Sequence, residues 1–592
     1  MKKTILHLFA ACSFFLLLLA GCDLTAINEN PNEPTADVDY NLNDARLGSI
    51  FRTSLPTVEG DDEQRIKSLM LDFYAQMLDG GDWDTKRYLM NEDWNQRMYR
   101  RVQSAISSLN IVIRNLSDQE DIYANAIAVA KVWRVFVAAN GADYFGPIPL
   151  AKYTKELELN PPYQSVEALY TEFFKELDEA VALFDQNSPN PVFNSAASDI
   201  VYANDAARWR KFANSLRLRL ALHVSEVAPS VTSEQVAKAL ASGVMESAAD
   251  NTYISPKADG SWGQDYNYTM FQITWGGPLN MTSSFEKLVT GIGGVDWPDG
   301  IVNQRAILNN ADQDKVVNRS NYKHPSNVDP RAPKMFEPPY LKPLLSKDNE
   351  GNLIDEKGEN ILDKNKKPIE MDYAWAGIPY GLASGDNTDK YIANYWPELG
   401  TLVRNGAPYK SRPYDVFLYE EVCFLKAEAF SRGFASGDAK VEYEKGVRAS
   451  FATWEVSGEV DAYLASTAKN LAGTSANFDD ISGPGNTPLE KIITQKYLGL
   501  FPDMSMEAWN DKRRLNLPRM DVALSRDPLL YGSKDDNILD PMNFIKRVQY
   551  PQNETQINKA EYDKGVQLLG GADNVATRIW WDLNKNYCTS AN

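Results

Sequence analysis

The chain has 592 residues, with 61 Lys and Arg against 80 Asp and Glu and a formal net charge of −19. Phosphate backbones are held by basic surfaces, so this acid excess argues against nucleic acid as a partner. The length exceeds a usual single core and fits one large or two ordinary domains.

In chain order, the first element is a targeting segment. Lys2 and Lys3 precede an apolar run from Ile5 to Ala20, broken only by His7 and Ser13. The run is shorter than the ~20 residues of a membrane-spanning helix and ends in small residues, as a secretory signal peptide does. Its ending, Leu19-Ala20-Gly21-Cys22, resembles the lipobox of bacterial lipoproteins. A thiol is the side chain whose nucleophilicity suits thioether formation to a lipid. Residues 1–21 are therefore read as a lipoprotein signal peptide and Cys22 as the lipid anchor. Residues 22–43 are rich in Asn, Asp, Glu and Pro and poor in large apolar residues, which predicts a flexible, solvated tether.

Helical patterns dominate the chain beyond the tether. Between Met90 and Leu116 the residues Trp94, Met98, Val102, Ala105, Leu109, Ile113 and Leu116 recur at three- and four-residue steps, an amphipathic stripe. A nearly all-apolar helix from about Ile122 should be buried on most sides and is expected to stop at Asn140-Gly141. Further helices are predicted at about Ser165–Phe184, Asp205–Val227, Ser233–Ser242, Tyr414–Arg432 and Lys440–Trp454. In "NSLRLRL" the residues Leu216, Leu218 and Leu220 cannot share one helical face, so that helix should be buried on two sides. Arg217 and Arg219 then need polar or charged partners. Between about 250 and 412 the helical texture gives way to glycine, proline and aromatic residues, with a short hairpin predicted near residues 348–358. The glycines there sit at the wrong offsets for a calcium loop.

Motifs for catalysis are missing. His223 and His324 are the histidines left after processing, and no HExxH or G-x-S-x-G motif surrounds either. His223 reads as a helical, structural residue. Two S-x-x-K matches, Ser284/Lys287 and Ser466/Lys469, lack companion motifs and are read as chance. No cofactor, metal site or catalytic residue is assigned. Cys423 lies in apolar helical text and reads as a buried thiol rather than a partner for Cys588. Paired carboxylates drawn from distant sequence keep a surface glycoside hydrolase as an alternative.

Aromatic residues in non-helical text are the positive signal. Trp262, Tyr266, Tyr268 and Trp275 sit in a glycine-rich stretch, Trp375 and Tyr380 in "DYAWAGIPYG", and Trp83 in "DGGDWDT". Flat rings interleaved with Asn, Gln and Asp suit sugar rings, and equally suit peptides. These seven residues form the candidate ligand site.

Several stretches carry a family likeness in order: Asp143–Pro149 ("DYFGPIP"), Ala207–Val224 ("ARWRKFANSLRLRLALHV"), Asp329–Pro338, Glu421–Gly433, Ile493–Arg514, Arg547–Tyr562 and Arg578–Asp582 ("RIWWD"). The chain resembles the SusD/RagB family of nutrient-binding outer-membrane lipoproteins of Bacteroidota. The resemblance implies a mostly α-helical domain over residues 44–592. Tetratricopeptide-like helix pairs would form the scaffold (about 44–249 and 413–592), and an irregular part (about 250–412) would carry the ligand. It implies a surface-exposed lipoprotein that hands oligosaccharide or peptide to a SusC-like TonB-dependent transporter, without catalysis.

Overall fold

The computed structural model describes residues 36–55, 62–80, 83–153, 160–184, 191–254, 279–294, 327–337, 413–521 and 544–583, with residue 523 and short stretches between 305 and 403. The signal segment, Cys22, His324 and Cys588 lie outside the described residues.

The fold is mostly helical. Its long helices are α1 (Ala36–Thr53), α2 (Glu92–Leu116), α3 (Glu120–Phe145), α4 (Val166–Phe184), α5 (Ala206–His223), α6 (Pro229–Ser242), α7 (Tyr419–Ser431), α8 (Ala439–Thr453), α9 (Pro488–Leu500), α10 (Ser505–Leu515) and α11 (Lys559–Leu569). Neighbours in sequence pack together: α2 on α3, α3 on α4, α5 on α6, and α7 on α8.

α1 starts inside the stretch read as tether. Polar composition hid a docking face: Asn43, Asp44, Leu47, Ile50 and Phe51 are buried, and Asp44 accepts a hydrogen bond from the Asn194 backbone N–H at 2.9 Å. Satisfied polar groups let a helix bury such a face without a run of large apolar residues.

α2 has the predicted stripe, every member of it buried, and Asn91 caps it by accepting from the Trp94 N–H. α3 runs past the expected stop. Gly141 lies within the helix, where a Cβ would sit 2.7 Å from a Val102 methyl, so it serves the close approach of α2 rather than a cap. The helix ends at Gly146, whose φ of +91° a side chain would strain. The span Glu92–Phe145 is apolar and long enough for a membrane, yet 89% of its most apolar window is buried within the fold, as expected of core helices.

α5 is buried on two sides, and its arginines find partners in opposite directions. Arg219 makes a two-pronged contact with Glu421 of α7 at 2.8 and 2.6 Å. Arg217 reaches Asp178 of α4 at 2.7 Å and Gln235 of α6 at 2.6 Å. The predicted helix at Tyr414 begins instead at Tyr419. Residues Tyr414–Phe417 form a strand, because the chain there pairs antiparallel with Thr252–Ile254 before turning into α7. Val422, Leu425 and Ala429 of α7 and Tyr443, Val447 and Phe451 of α8, at three- and four-residue steps, are buried, and Cys423 is a buried free thiol whose pKa burial pushes up to about 12. α9 opens with Pro488 and a reciprocal cap between Thr487 and Glu490.

Short strands form the non-helical part. Those that position the site are β1 (Leu78–Asp79), β2 (Asn280–Met281), β3 (Phe336–Glu337) and β4 (Glu398–Leu399), in the spatial order β1-β2-β4-β3. The predicted hairpin exists as Ser346–Lys347 paired with Leu353–Ile354. Both S-x-x-K pairs are structural: Ser284 binds Gln76, Lys287 pairs with Asp521, and Lys469 donates to Ser482.

Candidate functional site

The four-stranded sheet anchors the chain stretches that bear the candidate aromatics. β1 and β2 pair antiparallel with Leu78 opposite Met281 and Asp79 opposite Asn280. The chain leaving β1 towards Trp83 therefore departs at the same edge where the chain enters β2. Trp262, Tyr266, Tyr268 and Trp275 all precede that entry and lie outside the described residues. Trp375 also lies outside them. Gly377, two residues on, donates its N–H to Glu286 Oε2 at 2.8 Å, and Ile378 bridges to Thr282, the residue after β2. A Cβ on Gly377 would collide with the Thr282 carbonyl, so a glycine is needed for this approach.

Trp83 is half-buried. Its ring packs 5.4 Å from that of Trp94, at the first turn of α2, with the planes inclined by 49°. Behind it Asp79 and Lys86 form a fully buried ion pair at 2.9 Å. The Asp79 carboxylate also faces the backbone N–H groups of Gly80 and Gly381. Burial pushes its pKa up, opposed by Lys86. One carboxylate thus fastens the Trp83 loop to the stretch carrying Tyr380. Lys86 and Asp79 are invisible in the sequence, since an acid and a base seven residues apart across two glycines form no recognisable pattern.

Tyr380 does not fit the role assigned to it. It is buried, with its ring 6.5 Å from that of Tyr88, which in turn lies 6.5 Å from Tyr74. A ring closed in by others has no face left for a ligand, so Tyr380 is a core residue. Tyr88 holds a left-handed φ of +68°, a strained conformation for an aromatic residue, at the end of the turn Asp84–Arg87. Such strain sits where surrounding contacts over-determine the backbone. Among the described residues no group of three or more His, Cys, Asp or Glu side chains is placed to hold a metal ion.

The family model for the SusD-like SusD and RagB outer membrane lipoproteins matches residues 26–292 and 380–582. The crystal structure of a SusD homologue from Parabacteroides distasonis has a TM-score of 0.80 and 49% identity, covering 93% of this chain and 100% of that one. A SusD homologue from Bacteroides vulgatus has a TM-score of 0.69 at 23% identity, covering 93% and 98%. A chitin-binding SusD homologue from Flavobacterium johnsoniae has a TM-score of 0.66 at 21% identity, covering 92% and 100%. At these lower identities the likeness concerns the fold. No curated protein matches the chain. On the family model and the 49% relative together, the chain belongs to the SusD-like family of outer membrane lipoproteins, which are binding proteins and not enzymes.

Proposed function

We propose that this protein captures an oligosaccharide at the cell surface and delivers it to a SusC-like TonB-dependent transporter in the outer membrane. The observation that carries this reading is the gathering of three stretches around β2: those leading to Trp83 and from Trp262–Trp275 meet at its entry, and the one following Trp375 lies against Thr282 just past its exit. Aromatic faces contribute binding by stacking, and the neighbouring Asn, Gln and Asp residues supply hydrogen bonds to hydroxyl groups. The chitin-binding relative supports a saccharide ligand.

Residues 1–21 are the signal, Cys22 carries the lipid, and residues up to the start of α1 form the leash. Replacing Cys22 with Ser should move the protein from the membrane fraction to the soluble fraction, and tight retention of the variant would contradict the anchor.

Calorimetry with chitooligosaccharides, α- and β-linked glucans and a peptide pool tests the ligand class. Saturable binding of one saccharide series is expected, without product formation. Trp83→Ala and Trp275→Ala should each weaken it about tenfold, the equivalent of about 1.4 kcal/mol. Binding of peptides alone, or unchanged affinity in both variants, would overturn the assignment.

A further inference from the structure

A cleft lies between α4, α5 and α6. It has a volume of about 510 Å³ and is lined by Asp178, Arg210, Asn214, Arg217, Lys238 and Ser242, among others. That volume is within the roughly 300–1,000 Å³ usual for small-molecule sites. Arg210, Asn214 and Arg217 follow one another at four- and three-residue steps, so one face of α5 points them at the cleft. Arg210, Arg217 and Lys238 line it with the carboxylate of Asp178, and Lys238 also pairs with Glu234 at 3.0 Å.

Arg217 is incompletely neutralised. Arg219, two residues along, faces the interior and has the whole fork of Glu421, and its carboxylate neighbours raise its pKa against the effect of burial. Arg217 has one point contact with Asp178, which is itself 46% exposed and shared with Lys238 at 3.0 Å. Burial lowers the Arg217 pKa, and the Asp178 carboxylate does not offset it. Two polar atoms in the same wall have no protein partner although both residues are buried: Arg217 Nε, a donor, and Asn214 Oδ1, an acceptor. Asn214 donates its amide to the Arg210 and Gly243 carbonyls, so only its acceptor remains. Buried polar groups left in this state call for a missing polar occupant.

We propose that this cleft binds a small oxyanion-bearing ligand, with Arg210, Arg217 and Lys238 facing the anionic oxygens and Asn214 available to a hydroxyl group. A carboxylate on a sugar ring and a free phosphate share this chemistry. The site shares no residue with the aromatic one and does not depend on the ligand assigned there.

The test is isothermal titration of the full chain with inorganic phosphate, galacturonate and galactose, at constant ionic strength set with sodium chloride. Saturable binding of phosphate or galacturonate is expected, with galactose inert. Tighter binding of galacturonate identifies an acidic sugar as the source, and tighter binding of phosphate identifies the free ion. The rim double variant R210A/K238A should weaken binding at least tenfold, whereas W83A should leave it unchanged. Absence of saturable anion binding, equal binding of galactose, or wild-type affinity in R210A/K238A would each overturn the proposal.

Discussion

Replacing Arg331 with Met should destabilise the protein by about 3–5 kcal/mol, the usual cost of removing one member of a buried ion pair. Arg331 and Asp329 are both fully buried, and the guanidinium grips the carboxylate at 3.0 and 2.7 Å. Its remaining donors reach Ser450 of α8 at 2.9 Å and Gln495 of α9 at 2.6 Å. The guanidinium carbon also lies 4.9 Å from the centre of the Phe451 ring. Burial alone would lower the Arg331 pKa, but Asp329 raises it above the usual guanidinium value. Without the arginine, Asp329 keeps a 2.7 Å hydrogen bond from the Tyr463 hydroxyl and loses its countercharge.

The same arginine fastens the small sheet, where the ligand site is proposed, to helices α8 and α9. Residues just after it run into β3, which pairs with β4, and β4 pairs with β2 beside the proposed ligand site. Arg331→Met should therefore lower ligand affinity as well as the urea midpoint. Arg331→Lys keeps the charge and loses the planar fork, so it should rescue only part of the loss. Adding Asp329→Asn to Arg331→Met removes the stranded charge and should recover stability. A single Arg331→Met variant within 1 kcal/mol of the parent would contradict this account.

Helices are legible wherever their own sequence carries the record of burial. The α2 stripe and the inner faces of α7 and α8 can be read because three- and four-residue spacing marks one buried side. The alternation Leu-Arg-Leu-Arg-Leu in α5 likewise foretells two buried sides and the need for partners. Which partners, Glu421 and Asp178, depends on helices far away in sequence, and nothing local selects them. Gly141 misleads because a glycine needed for close approach looks identical to one needed for a left-handed cap. The start of α7 is displaced from its expected position because Tyr414–Phe417 alternates no differently from a helix edge until Thr252–Ile254 lies beside it. At the site, Trp83 and Tyr380 read alike as loop aromatics. Only the three-dimensional arrangement separates the half-buried ring over Trp94 from the one enclosed beside Tyr88.

His223 should make stability depend on pH in the alkaline range. The imidazole is buried between two acids, with Nε2 2.9 Å from Glu507 of α10 and Nδ1 3.3 Å from Asp143 of α3. The Tyr170 hydroxyl of α4 lies 2.9 Å from Nδ1, and the centre of the Trp581 ring lies 5.8 Å from that of the imidazole. Burial pushes the imidazole pKa down, but Glu507 and Asp143 outweigh it and raise it from 6.5 to about 9. A folded-state value above the unfolded one means that the folded protein holds the proton more tightly. The stabilisation is therefore complete below pH 6.5, declines as pH rises, and is gone above about 9. At about 1.4 kcal/mol per tenfold change in proton affinity, the effect is roughly 3 kcal/mol. Urea midpoints measured at pH 6, 8 and 10 should fall in that order for the parent. His223→Gln, which retains a hydrogen-bonding side chain without the titrating proton, should start lower at pH 6 and show a shallower fall. Equal slopes for the two proteins would place the alkaline loss elsewhere, because the other groups around the ring remain in the variant.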